Sequence, residues 1–157
     1  MTSVSPETIH DTFTIERRFP QSPNTVFAAF SHPATKRRWF ADGHSQIVDE
    51  YSLDFRVGGR EVARYRMSDA TPFPGLPLVS DGVTLDIVPG RRIISAATMT
   101  LGDRPISAAL ATFEFLPDGS GTKLLFTHQA AFFEGSDGPA MRKQGWTAIL
   151  DQLAQAL

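Results

Sequence analysis

Residues 138–157 read GPAMRKQGWTAILDQLAQAL, and the reading of this stretch decides the fold. Proline at 139 suits a first helical turn, where its missing N–H is one of the unpaired donors anyway. Beyond it Trp146, Ile149, Leu150, Leu153 and Leu157 recur at i, i+3, i+4, i+7 and i+11, one apolar stripe of an α-helix. The spacing predicts a long C-terminal helix opening at Pro139. So broad an apolar face has to be buried against a second layer. The rest of the chain offers only strand-like segments and two short helices, so that layer is a sheet.

Working back from the helix, Ser107–Leu116 and Thr122–Ala130 flank a Pro117-Asp118-Gly119 turn at hairpin spacing. Ile93–Leu101 runs into a Gly102-Asp103 turn, and Val83–Val88 stops at Pro89-Gly90. Residues 69–80 hold three prolines and read as an apolar loop, since proline cannot donate within a central strand. Arg60–Met67 alternates Ala63, Tyr65 and Met67 against Val62, Arg64 and Arg66. Before it His44–Glu50 and Tyr51–Val57 read as two strands, the second ending in Gly58-Gly59. Near the start, Thr12–Phe19 has period two, with Phe13, Ile15 and Phe19 on one face. Ser22-Pro23 then supplies an N-cap and a first-turn proline for a short helix carrying Val26, Phe27 and Phe30. A second short helix follows over Pro33–Phe40, with Trp39 and Phe40 as its buried end. Residues 1–10 are expected to be loosely ordered. The order is one strand, two short helices, about six strands and one long helix. This is an α+β arrangement with an antiparallel sheet and its helices on one face, organised as one domain over 1–157.

Composition narrows the chemistry. The chain has 157 residues, no cysteine and a net charge of −2, so thiol catalysis, disulfides and Cys-ligated metals are excluded. The near-neutral balance supplies no field for nucleic acid. No apolar run is long enough to span a bilayer, and no basic start precedes a short apolar run, so a cytoplasmic location is expected. His10, His32, His44 and His128 show no metal-ligand spacing, and no metal or cofactor is expected. Twelve phenylalanines against two tyrosines and two tryptophans indicate a large interior with few polar handles.

Several segments resemble the activator of heat-shock protein 90 ATPase homologue-like branch of the START-like superfamily. They are Ile15-Glu16-Arg17-Arg18-Phe19 with Val26-Phe27, His32-Pro33 through Arg38-Trp39-Phe40, and the glycine-pair segment Asp54–Arg60. Leu85–Pro89 with Arg92-Ile93-Ile94, Gly121–His128 and Gly145-Trp146 to Leu153 complete the series, in the family's order over about residues 12–157. The resemblance implies a helix-grip fold, a curved antiparallel sheet wrapped around the C-terminal helix. Relatives often carry an acidic residue where this chain has His128, and bulkier aromatics where it has Ser95 and Ala97. The latter pair implies a wider internal chamber. The separate N-terminal chaperone-binding domain of the eukaryotic co-chaperones has no counterpart in these segments.

The expected function is binding of an apolar small molecule, a lipid, acyl or polycyclic compound, between the sheet and the last helix. Its expected walls are Trp39, Tyr65, Met99, Phe113, Phe115, Phe126, His128, Trp146 and Leu150, under a lid-like loop carrying Phe73, Leu76 and Leu78. Such a pocket ordinarily measures about 300–1,000 Å³. His128 alternates with Leu124 and Phe126 and so shares their face. Two readings stand for it: a core histidine satisfied by a carbonyl, or the general acid–base of a cyclase- or hydrolase-like enzyme with Asp86 as partner. Asp86 reads equally as a surface charge. A co-chaperone-like interaction surface and a homodimer remain as further alternatives. Lys36-Arg37-Arg38 reads as a solvated helix face. Arg56 and Arg64 are expected to pair outward with Asp54 or Glu61.

Overall fold

A computed structural model describes residues 7–157. β1 (Ile9–Phe19) leads into α1 (Pro23–Ser31) and α2 (Pro33–Lys36), which continues into a wider π-type turn over Arg37–Ala41. Then come β2 (Gln46–Leu53), β3 (Arg60–Met67), β4 (Pro77–Val88), β5 (Arg92–Leu101), β6 (Arg104–Asp118), β7 (Gly121–Phe132) and α3 (Gly138–Ala156). The seven strands form one curved antiparallel sheet in the order β1-β7-β6-β5-β4-β3-β2. The first strand therefore pairs with the last, and β1 and β2 form the two edges of the open sheet. Ile9 and His10 already belong to β1, so strand order starts earlier than the sequence suggests; residues 1–6 of the expected loose start lie outside the described residues.

Local chemistry explains the starts and stops. Ser22 caps α1 by accepting a hydrogen bond from the Thr25 N–H (3.3 Å), with Pro23 in the first turn. The β6–β7 hairpin turns at Gly119, whose φ of +59° would strain any residue with a Cβ. In the loop before β3, Gly58 adopts φ +83°, and a Cβ on Gly59 would lie 2.0 Å from the Asp54 carbonyl oxygen. The glycine pair is stitched to β4, with Gly58 N–H donating to the Thr84 carbonyl and Thr84 N–H to that of Gly59.

Two strand expectations need correction, and a third feature settles an open one. The two segments expected over His44–Val57 are one strand, β2, because a bulge at Asp49 absorbs the break in alternation. The Pro-rich loop is shorter than 69–80: Pro77 opens β4, a position that needs no N–H, and Leu78–Ser80 pair with both neighbours. A second bulge at Leu85 moves Asp86 to the convex face, opposite Ile94, while Ile87 returns inward opposite Ile93.

Two apolar clusters lie on the concave face. The larger gathers Phe13, Ile15, Phe113, Phe115, Leu124 and Phe126 from the sheet, Val26 and Phe30 from α1, Trp39, and Leu150 and Leu153 from α3. The smaller joins Ala41, Ala63, Tyr65, Leu78 and Ile106, with Phe40, Tyr51 and Met99 packed against it. Leu150 and Leu153 are fully buried, so the stripe that predicts α3 is the face it lays on the sheet. Between the clusters the sheet is floored by small residues.

Candidate functional site

Gly82, Ala97, Ala109 and Ala111 occupy facing inward positions on β4, β5 and β6. Ser80, Thr84 and Ser95 add hydroxyls to the same floor, Phe113 and Met99 bound it, and Phe40 and Trp146 close it from above. The cavity measures about 70 Å³ and opens on one side to solvent. An apolar cavity of about 150 Å³ is known to hold benzene. The chamber is thus smaller than the expected pocket, with room for a few waters as it stands.

The walls are more polar than the sequence suggests. At one end Lys36 is only 9% exposed, although it belongs to a basic run expected to be solvated. Its Nζ lies 2.8 Å from Glu61 Oε2 and 4.8 Å from the Phe40 ring centroid. Tyr51 Oη donates to the same carboxylate. Burial, then the neighbouring Glu61 charge, pushes the Tyr51 phenol well above its ordinary range, so Tyr51 serves as a permanent donor. Tyr65 is raised too, by burial first and Glu61 second. Glu61 therefore faces inward. Arg64 pairs with Glu50 instead (3.2 Å), and Arg56 with Asp54 (2.7 Å).

At the other end Arg142, on α3 one turn before Trp146, is buried. Its Nε and Nη2 hold both oxygens of Asp137 (2.7 and 2.8 Å), and Nη2 also donates to Ser107 Oγ (2.9 Å). Its guanidinium lies 5.1 Å from the Phe132 ring centroid. Burial alone would raise the Asp137 carboxyl; the Arg142 hydrogen bonds and charge outweigh it and hold the group below its usual range. His128 is 2% exposed and stacks on Phe13 at 4.6 Å between ring centroids, tilted by 15°. Its Nδ1 is buried with no hydrogen-bond partner among the described residues, so no carbonyl satisfies it. Burial first, and the Arg142 charge second, lower its pKa to about 4, against a weaker upward pull from Asp137. The ring is therefore neutral at pH 7.

Of the wall residues expected from sequence, Met99, Phe113, His128 and Trp146 line the cavity. Trp39 is fully buried in the larger cluster, its indole N–H donating to the Ala29 carbonyl (2.9 Å). Phe115, Phe126 and Leu150 belong to that cluster as well, and Tyr65 to the smaller one. Asp86 lies away from the chamber, paired with Arg92 at 2.7 Å on the outer face. Nor does the expected lid reach the chamber: Phe73 and Leu76 are exposed, and Leu78 is buried in the smaller cluster. Phe40, expected as a buried helix end, lines the cavity too, whereas sequence reasoning missed Lys36, Glu61 and Arg142. No group of three or more His, Asp or Glu side chains is arranged for a metal among the described residues. No helix among them is long and apolar enough to cross a membrane.

A seven-stranded sheet gripping one C-terminal helix, with a chamber between them, defines a helix-grip protein of the START-like class. The family model described as activator of Hsp90 ATPase homolog 1-like protein matches residues 20–157, and the chain belongs to that family. Among solved structures, the Mll3558 protein of Rhizobium loti is 45% identical, with 96% of this chain and 99% of that one covered and a TM-score of 0.86. A putative uncharacterized protein of Rhizobium leguminosarum is 38% identical over 98% and 97% of the two chains, with a TM-score of 0.89. The AHSA1-like protein of Aeromonas hydrophila shares the fold at 21% identity, covering 93% and 91%, with a TM-score of 0.66. No curated protein matches the sequence.

Proposed function

We propose that the chain binds a small molecule in the chamber between the concave sheet face and α3. The observation that carries this reading is the line of Gly82, Ala97, Ala109 and Ala111 between two apolar clusters, walled by buried polar groups. A sequence selected only for stability fills such a space, because a cavity forfeits contacts on every side. The lipid or polycyclic occupant expected from sequence far exceeds the cavity volume and requires Phe40 or Trp146 to swing away. A compact ligand of a few heavy atoms requires the smallest such movement.

Binding fits the histidine better than proton transfer does. Asp86 sits on the opposite face, and a base whose pKa lies near 4 is poorly matched to neutral pH. Native mass spectrometry before and after organic extraction tests the reading, with Ala111→Leu as the blocked control. The expected result is a low-mass adduct on the natural protein that extraction removes and Ala111→Leu lacks. An adduct equally abundant on Ala111→Leu places the ligand elsewhere and overturns the assignment.

A further inference from the structure

Two hydrogen-bonding groups in the chamber wall remain unspent. Arg142 uses Nε and Nη2 for Asp137 and Ser107, and no described residue accepts a hydrogen bond from its Nη1. His128 lines the same chamber, with Nδ1 buried and unpartnered. A buried polar atom without a partner costs stability, so retaining one makes sense where an occupant supplies the missing bond. Arg142 can only donate, so the atom facing it must be an acceptor.

The charges in the walls limit what kind of acceptor. Lys36 is matched by Glu61, and Arg142 by Asp137. His128 is neutral at pH 7, with burial as the main cause. The wall thus balances to zero, and a dissociated carboxylate brought into it adds an uncompensated charge in a poorly solvated space. An ammonium places a second cation beside Arg142. An uncharged oxygen avoids both penalties.

From the unpartnered His128 nitrogen, the free Arg142 Nη1 and the internally balanced wall charges, we infer that the chamber selects a compact uncharged molecule bearing a carbonyl oxygen. The oxygen accepts from Arg142 Nη1 and from His128 in its Nδ1–H tautomer, and the apolar body lies on Ala97, Ala109 and Ala111 beneath Trp146. This inference rests on the binding reading above and adds the chemical class.

Three probes of matched shape separate the alternatives: isobutyramide, isobutyrate and 2,3-dimethylbutane. Each is titrated into the full chain at pH 7, following the alanine methyl and histidine ring NMR signals. The expected result is isobutyramide binding about tenfold more tightly than either other probe, with the His128 ring nitrogens shifting on saturation. In His128→Phe, and independently in His128→Leu, neither of which offers a donor, the preference over 2,3-dimethylbutane shrinks about tenfold or disappears. Isobutyrate binding most tightly, or 2,3-dimethylbutane binding as well as the amide, overturns the inference while leaving the chamber a binding site. A preference that survives both histidine variants overturns it too. Failure of all three probes to move the Ala97, Ala109 and Ala111 methyls overturns the binding reading and the inference together.

Discussion

At His128 a single nitrogen without a partner couples stability to pH. The folded ring titrates near 4 and the unfolded one near 6.5, so the unfolded chain binds the proton more readily between these values. Stability is therefore full above about pH 6.5 and falls as the pH drops through 4, by about 3 kcal/mol from this residue alone. Asp137, held below its usual range, loses its own contribution only at lower pH, where the carboxylate protonates. Urea denaturation midpoints measured from pH 7 to pH 4 should show this loss, and His128→Phe should remove most of it. His128→Phe should also leave the pH 7 stability unchanged or higher by about 1 kcal/mol, since it removes an unsatisfied atom while keeping a ring on Phe13. A drop of several kcal/mol at pH 7 means that His128 is hydrogen-bonded in solution.

Periodicity carries most of the fold at the level of elements, and it also shows where sequence reading stopped short. The stripe Trp146, Leu150, Leu153 extended back by four residues lands on Arg142, and Ala63, Tyr65, Met67 extended back by two lands on Glu61. Phe40 extended back by four lands on Lys36. Each charged residue was legible as inward-facing, and only its charge argued otherwise. What no spacing reveals is that Lys36 and Glu61 meet, because their encounter depends on how α2 sits against β3. The two bulges were hidden for a related reason: at Asp49 and Leu85 one extra residue resets the alternation without a glycine or proline to mark it. Lys36 and Glu61 have side chains only 11% and 16% exposed, so deleting one partner strands the other's charge. Lys36→Met should cost about 3–5 kcal/mol in urea unfolding. The double variant Lys36→Met with Glu61→Gln, which keeps an acceptor for Tyr51, should recover most of that loss. If the double variant is as unstable as the single one, Lys36 acts through its packing on Phe40 rather than through its charge.

Across the whole molecule, the pairing of β1 with β7 and the return of α3 across the concave face make the chamber a property of the entire chain. Arg17 in β1 reaches Asp151 in α3 at 3.0 Å, joining the two ends beside the larger cluster. The two tryptophans report on different parts of this arrangement. Trp39 is fully buried and hydrogen-bonded in the core, whereas Trp146 packs at a tilt against Phe126, with ring centroids 4.5 Å apart, and forms the chamber roof. Occupancy should therefore alter Trp146 emission and leave Trp39 emission nearly constant. An occupant that binds only the folded chain also adds stability as its concentration rises past its dissociation constant, by about 2.7 kcal/mol at a hundredfold excess. With isobutyramide as the probe, the emission change should persist in Trp39→Phe and vanish in Trp146→Phe. The melting temperature of Trp39→Phe should climb over the same concentration range as its emission changes. A rise in melting temperature with no change at Trp146 locates the bound molecule outside the chamber. Emission and stability moving together tie the small-residue floor, the helix roof and the β1–β7 pairing into one binding unit.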